Sequence, residues 1–181
     1  MKNKRIIENN CLYEPRFEKD NCGFGLISQM DNKPSHWVIE TSIKALKRLT
    51  HRGAISDDGK TSDGCGLLIK KPDSFFRHIA QDMGIELGVN YCFGSIFLSK
   101  NKKIQIKAKE TLHFQLRKQG LAVKGWREVP INKNVCGDEA LTSIPSIQHI
   151  IVVAPEKMLE SEFEKKLYIA RVQSEKILEH D

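Results

Sequence analysis

The chain has 181 residues, which suits one ordinary domain, and its 40% hydrophobic and 29% charged content is typical of a globular protein rather than a disordered or fibrous one. Its net charge is +6, yet the 29 basic residues are spread along the chain among 23 acidic ones, so no single nucleic-acid-binding stripe is predicted. No segment approaches the roughly 20 apolar residues that cross a bilayer, and the first residues lack the apolar region of a secretory signal. We therefore predict a cytoplasmic protein with no nucleic-acid and no membrane partner.

The five cysteines are odd in number and widely scattered, and none belongs to a Cys-x-x-Cys pair. This pattern favours reduced thiols over a disulfide framework. We expect no metal site, because its ligands would have to converge from distant positions, and a lone cysteine is most often a small buried hydrophobe. The cysteines are Cys11, Cys22, Cys65, Cys92 and Cys136.

The first third of the chain opens with a polar leader, residues 1–21, which we predict to lie outside the core. A short apolar, glycine-bearing segment then predicts a strand, and Ser35 is a good cap for a helix whose apolar residues recur at spacings of three and four. The predicted elements are a strand at 22–28, a turn at 30–34, a helix at 35–50, a loop at 51–64 and a buried strand at 66–69.

The rest of the chain alternates between helical and strand-like patterns. Pro72 suits the first turn of a helix, and Gly120 is expected to end a later one, whose apolar residues recur every fourth position. This alternation indicates an α/β or α+β layered fold. The predicted order is a helix from Pro72 to about residue 83, a strand at 89–98, a helix at 104–119, strands near 121–129 and 147–154, and a helix from residue 159 onward.

Three short blocks carry a family resemblance. They are residues 20–27 (DNCGFGLI), 50–54 (THRGA) and 63–68 (DGCGLL), and residues 71–77, 125–130 and 168–171 add further agreement. In order and separation, the blocks resemble the start of glutamate synthase large subunits, from about residue 12 onward. The resemblance implies a class II glutamine amidotransferase domain of the N-terminal-nucleophile hydrolase type, with an α+β, four-layer αββα sandwich fold of which only part is present.

The resemblance implies that the leader 1–21 is removed and that residues 22–181 form the N-terminal portion of this domain. Cys22 would then be both nucleophile and terminal residue. A thiol is a weak nucleophile at neutral pH, but an α-amino group with a pKa of about 8 can accept its proton. The thiolate would attack the side-chain carbonyl of glutamine and form a thioester, and water would then release glutamate. The alternative for Cys22 is a buried strand thiol with no chemistry.

The resemblance also assigns three residues that organise the site. Arg52 and Gly53 lie in the loop that sits against the nucleophile in related amidotransferases, and Gly23 follows the nucleophile, where a residue without Cβ permits close backbone approach. The alternative for Arg52 is a cation at the end of the preceding helix, where it opposes the helix dipole. His51 is a conceivable base, while Asp63 and Cys65 are predicted to be turn and core residues.

The family takes its oxyanion hole from a downstream Asn-Gly pair, and this sequence has no Asn-Gly dipeptide. We therefore expect the 181 residues to be a truncated piece, poorly soluble and inactive as a glutaminase by itself. FMN and an iron–sulfur cluster are expected in a complete enzyme but on no residue of this chain, and the electron donor is left open between a nicotinamide cofactor and ferredoxin. Glutamine is the implied substrate, and the rest of the synthase chain or a small subunit is the implied partner.

Two other interpretations stay open at this stage. The chain could be a non-catalytic α/β remnant that binds a partner through the surface left by the missing half. It could also be another class II amidotransferase, such as a phosphoribosyl or sugar-phosphate enzyme.

Overall fold

A computed structural model of the chain describes residues 23–49 and 55–179, which fall into two units, Met1–Leu68 and Ile69–Asp181. The three strands of the described residues all lie in the second unit and pair in an antiparallel manner. The predicted α+β class is therefore confirmed at this level. None of the helices in the described ranges is long and apolar enough to cross a membrane.

In the first unit, helix α1 (His36–Arg48) confirms the predicted helix and ends two residues earlier than expected. Ser35 is its N-cap, with an extended backbone but no side-chain cap bond, and Lys47 and Arg48 place positive charge at the C-terminal end, where it favours the dipole. No residue of α1 is buried. Its apolar stripe therefore covers little within the described part of this unit.

The strands predicted at 22–28 and 66–69 are wrong for the residues that the structure describes. Residues 23–28 and 66–69 have no regular structure, and Phe24 is 95% exposed. The physical reason is that a strand needs a neighbour for its peptide N–H and C=O groups. In the described part of the first unit, the backbone pairing between strand-like residues is a single antiparallel bridge between Ile55 and Ser62.

The second unit confirms the three predicted strands and three predicted helices, each within two or three residues of its expected bounds. Two short helical segments between the last two strands were not predicted, because six residues or fewer show no clear period. In chain order the elements are α2 (Asp73–Asp82), β1 (Tyr91–Leu98), α3 (Lys102–Lys118), β2 (Ala122–Glu128), a 3-10 turn (Lys133–Val135), α4 (Asp138–Ser143), β3 (Ser146–Val153) and α5 (Glu160–Glu179).

The sheet has the strand order β1-β3-β2, so the last strand of the sequence lies in the middle. Tyr91 of β1 and Ala122 of β2 both lie opposite Val153 of β3. The register between β2 and β3 shifts between Val123 and Gly125, which leaves Lys124 as the extra residue of a β-bulge. Because β1 and β2 both run antiparallel to β3, they are parallel to one another without being neighbours.

The hydrophobic core lies between one face of this sheet and helices α3 and α5, which pack against each other. Strand residues alternate between faces, so Ile150 and Val152 point into this core, whereas Ile151 points to the opposite face. Phe163 of α5 is only 2% exposed. The buried core residues are Leu116, Leu121, Ile150, Val152, Phe163 and Ala170.

The opposite face of the sheet carries aromatic side chains. Phe76 of α2 stacks on Phe93 of β1 with ring centroids 4.3 Å apart, and the His149 imidazole meets both rings edge-on. Ile79 and Ala80 of α2 are buried. Towards the other end of β1, Phe97 is 68% exposed, so this face is covered only in part by the described residues.

The family-like block 71–77 joins α2 to β1. The Tyr91 hydroxyl donates to Asp73 Oδ1 at 2.5 Å, and Arg77 Nε donates to Asp73 Oδ2 at 2.8 Å. The Lys71 ammonium lies 4.2 Å from the centre of the Tyr91 ring. Hydrogen bonding from Tyr91, followed by Arg77, lowers the pKa of Asp73, whereas burial, followed by the Asp73 bond, raises the pKa of Tyr91 to about 12. This block is therefore structural.

The core predicts a large difference between two phenylalanines of the second unit. We expect Phe163→Ala to lower the free energy of unfolding by about 3 to 5 kcal/mol, because it removes buried apolar contacts and leaves a cavity. Phe97→Ala, at an exposed position, should change it by less than about 0.5 kcal/mol. Urea unfolding of the 181-residue chain measures both, and equal losses would contradict the described core.

The Tyr91–Asp73 bond predicts a pH dependence in the alkaline range. A raised folded-state pKa favours the neutral phenol, so the contribution of Tyr91 to stability is full below pH 10, its ordinary pKa, and is lost as the pH rises towards 12. We expect the stability advantage of the wild type over Tyr91→Phe to shrink between these pH values. Tyr91→Phe keeps every lysine, so it corrects for lysine titration over the same pH range. If the free energies of unfolding of the two proteins change in parallel with pH, the Tyr91–Asp73 bond does not contribute to stability.

Candidate functional site

The proposed nucleophile and its loop fall where the structure gives no account. Cys22, His51, Arg52 and Gly53 all lie outside the described residues. Gly23, which was also assigned to the site, is the first described residue. It is exposed and lies in a segment without regular structure. The reacting groups of the predicted site therefore lie outside the described part of the chain.

The glycines beside the nucleophile were expected to permit close backbone approach. At Gly25, an added Cβ would meet nothing within 4 Å, and the same is true of Gly64 and Gly66 in the third block. Cys65, which we expected in the core, is exposed. The prediction that Cys65 is a core residue is therefore wrong, whereas the role of the glycines beside the nucleophile stays a prediction.

A tight turn connects the second block to the third. Asp58 Oδ1 accepts hydrogen bonds from the backbone N–H groups of Lys60 and Thr61, at 2.9 and 2.6 Å, and Asp58 Oδ2 accepts one from the Thr61 hydroxyl. Gly59 has a φ of 65°, which glycine adopts without strain. The Ser56 N–H donates to the Thr61 carbonyl at 2.8 Å. The chain therefore folds back immediately after the second block, and this turn is fixed by local side-chain bonds.

Two histidines of the second unit were not singled out by the sequence. His113 Nε2 accepts a 2.7 Å hydrogen bond from the Trp126 indole N–H. Burial, followed by Arg117 and Lys109, lowers the pKa of His113. Burial, followed by Arg127, lowers that of His149, whose Nδ1 atom is buried without a hydrogen-bond partner. The lowered pKa favours the neutral form of both imidazoles.

Neutral histidines can act as general bases only when they lie beside a group that gives up a proton. Within residues 55–179, neither His113 nor His149 bonds to a thiol, a hydroxyl or a carboxylate. The described residues also contain no group of three or more His, Cys, Asp or Glu side chains that could hold a metal ion. Neither of these two histidines therefore forms a nucleophile–base pair with a described side chain.

The other family-like blocks lie on the framework of the second unit. In block 125–130, a Cβ on Gly125 would come within 2.9 Å of Ile85 Cδ1. In block 168–171, Ala170 is fully buried in the core, and the Arg171 guanidinium lies 5.3 Å from the centre of the Tyr168 ring. These blocks show how the second unit packs.

Comparison with known proteins gives a family match that covers most of the chain. The family described as "Glutamine amidotransferases class-II" matches residues 22–181. The chain is 34% identical over 165 residues to the glutamate synthase [NADPH] large chain of Bacillus subtilis (strain 168) and 37% identical over 169 residues to that of Azospirillum brasilense, with 91% of this chain covered in both cases. It is 35% identical over 160 residues, or 85% of its length, to ferredoxin-dependent glutamate synthase 2 of Synechocystis sp. (strain ATCC 27184 / PCC 6803 / Kazusa).

The chain spans only about a tenth of the length of these relatives, namely 11%, 11% and 10%. The likeness therefore concerns one region of much longer polypeptides. Because the family match begins at Cys22 and continues to residue 181, the chain belongs to the class II glutamine amidotransferases.

Proposed function

We propose that this chain is the first part of a glutaminase domain that hydrolyses glutamine to glutamate and ammonia within a glutamate synthase, with Cys22 as its nucleophile. One observation carries the proposal: the family match starts at Cys22 and leaves residues 1–21 outside. A start at this position is what a nucleophile freed by removal of a leader requires. The similarity to glutamate synthases from several organisms supports the choice among class II amidotransferases.

The proposed reaction begins when the α-amino group of Cys22, freed by loss of the leader, takes the proton of the Cys22 thiol. The thiolate attacks the side-chain carbonyl carbon of glutamine, and the carbonyl oxygen becomes an oxyanion. When this intermediate collapses, the carbon–nitrogen bond breaks, the protonated amine supplies a proton to the leaving nitrogen, and ammonia departs. Water then attacks the thioester, which releases glutamate and restores the thiol.

The remaining site residues have supporting roles in this proposal. Arg52 and Gly53 would lie against the nucleophile and its amine and hold them in position, and Gly23 would leave space beside the reacting sulfur. An oxyanion donor is often worth a hundred- to a thousandfold in rate. No Asn-Gly pair that could provide one occurs in these 181 residues, so other parts of a complete polypeptide would have to supply it.

The family also implies a four-layer αββα sandwich, and the second unit is compatible with part of one. Helices α3 and α5 form a layer on one face of the three-stranded sheet. The opposite face carries exposed apolar side chains such as Phe97. In the proposed sandwich, this is the face on which a second sheet would pack.

FMN and the iron–sulfur cluster of a complete synthase would be held outside this chain. An iron–sulfur cluster needs a set of converging thiolates, and Cys65, Cys92 and Cys136 form no group that could bind a metal. The partners we propose are the rest of the synthase polypeptide or a small subunit, to which the ammonia would pass.

Among the described thiols, Cys92 is the least suited to act as a nucleophile. It is partly buried against the core cluster. Burial, followed by the nearby Glu164 carboxylate, raises its pKa to about 11. At neutral pH, this thiol is therefore almost entirely protonated and unreactive. Cys65, in contrast, is exposed.

The proposed mechanism predicts selective labelling of Cys22 in the complete, leader-free polypeptide. A diazoketone analogue of glutamine should modify Cys22 before the other cysteines, because only there do a free amine and a glutamine pocket coincide. Extending the chain by one residue before Cys22 converts the amine to an amide. This change should lower glutamine-dependent turnover by at least about a hundredfold, as expected for loss of a general base, and should suppress labelling.

Peptide mapping by mass spectrometry identifies the labelled residue in this experiment. Cys22→Ala, which removes the thiol and keeps the terminal amine, is the matched control and should abolish both turnover and labelling. Labelling chiefly on Cys65 or Cys92, or labelling that is indifferent to the extra residue, would refute the role of Cys22.

The thiol environments give a second prediction for the 181-residue chain itself. At pH 8, iodoacetamide should alkylate Cys92 at least about ten times more slowly than Cys65, because a thiol with a pKa near 11 is about one part in a thousand thiolate at that pH. Unfolding in urea should bring the two rates together. Similar alkylation rates for Cys92 and Cys65 in the native chain would contradict the burial of Cys92.

A further inference from the structure

Helix α3 concentrates positive charge to a degree that the whole-chain composition does not reveal. Its 17 residues contain six Lys or Arg and one Glu, a net charge of +5. Helix α5 is longer and nearly balanced, and it neutralises much of its charge internally through the pairs Glu162–Lys166 at 2.9 Å and Arg171–Glu175 at 3.7 Å. In α3, by contrast, neither Lys109 nor Arg117 has a carboxylate of the described residues within 4 Å.

The charge of α3 is not explained by the stability of the helix. Lys102 and Lys103 occupy the first turn, which contains no acidic residue, and cations at this end oppose the helix dipole. Because these cations lower the stability of the helix, we infer that the charge has a role outside it.

Beside this charge, α3 and β2 form an open groove of about 420 Å³ with one wall provided by α3 and the other by Trp126. The Trp126 indole is fixed by its 2.7 Å bond to His113, and the two rings are nearly parallel. The Lys109 ammonium lies 4.6 Å from the centre of the indole. The lining residues are Lys109, Glu110, His113, Phe114, Arg117 and Trp126.

The groove also presents apolar surface to solvent. Phe114, which lines it, is 63% exposed, and Ile106, two turns earlier on α3, is 55% exposed. Aromatic side chains that remain exposed among cations are typical anchor points for a protein partner. The surface thus combines uncompensated positive charge with apolar anchors.

We propose that this α3 groove docks an acidic segment of a partner protein, with carboxylates at Lys109 and Arg117 and an apolar side chain against the exposed Phe114. Lys109 and Arg117 are eight residues apart, or about 12 Å along a helix. We assign a different carboxylate of the peptide to each of these two cations. The proposal is independent of the chemistry proposed for Cys22.

One observation favours a protein partner over a nucleotide. The Trp126 ring packs against the core and already has Lys109 over it, so it offers no free face on which a base could stack.

The test measures binding of a fluorescein-labelled peptide, made of glutamates around a central Leu-Phe pair, to the 181-residue chain by fluorescence anisotropy. We expect saturable binding that weakens as ionic strength rises. Lys109→Gln combined with Arg117→Gln should weaken it roughly tenfold. Phe114→Ala should weaken it roughly fivefold without changing its salt dependence.

The matched control is Lys165→Gln combined with Lys176→Gln, which removes the same charge from the second turn and the last turn of α5. This pair should leave the affinity within about twofold, and thermal unfolding should confirm that both double variants are folded. A peptide with glutamine in place of glutamate should bind at least tenfold more weakly. The proposal fails if the acidic peptide does not saturate, if the two double variants lose affinity equally, or if ADP occupies the groove and displaces the peptide.

Discussion

The second unit depends on the pairing of β3 with two strands at once. β3 follows β1 and β2 in the sequence but lies between them, so neither earlier strand has a strand neighbour in the described chain until β3 is in place. Its side chains bury both faces of the sheet, with Ile150 and Val152 on the helical side and Ile151 on the other. A one-residue slip of β3 would exchange these faces, so burial on both sides fixes the register.

Burial is distributed unevenly between the two units. The second unit contains all the buried hydrophobic residues of the described chain, whereas α1 in the first unit has none. Apolar residues such as Phe24, Leu26 and Leu68 are exposed in segments without regular structure. The described chain spans about a tenth of its relatives, and in the proposed sandwich such residues would contact other layers of a complete domain.

The family-like blocks of the second unit have structural roles. They provide Asp73, which accepts a hydrogen bond from Tyr91, and the buried Ala170, and both residues hold elements together. The proposed chemistry depends instead on the blocks around Cys22 and Arg52, two residues that lie outside the described part of the chain. Similarity of sequence does not distinguish packing residues from reacting ones, whereas the contacts of each side chain do.

The sequence by itself determined the family, the candidate nucleophile Cys22 and the helices, because a helix is built from contacts three and four residues apart that appear directly as a period. Only the tertiary structure decided what depends on distant partners. It placed β3 in the middle of the sheet, left residues 23–28 without a strand and exposed Cys65. It also brought His113 to Trp126, on another element, beside Lys109 of α3. A strand or a groove exists only when separate segments meet, and no local pattern records that meeting.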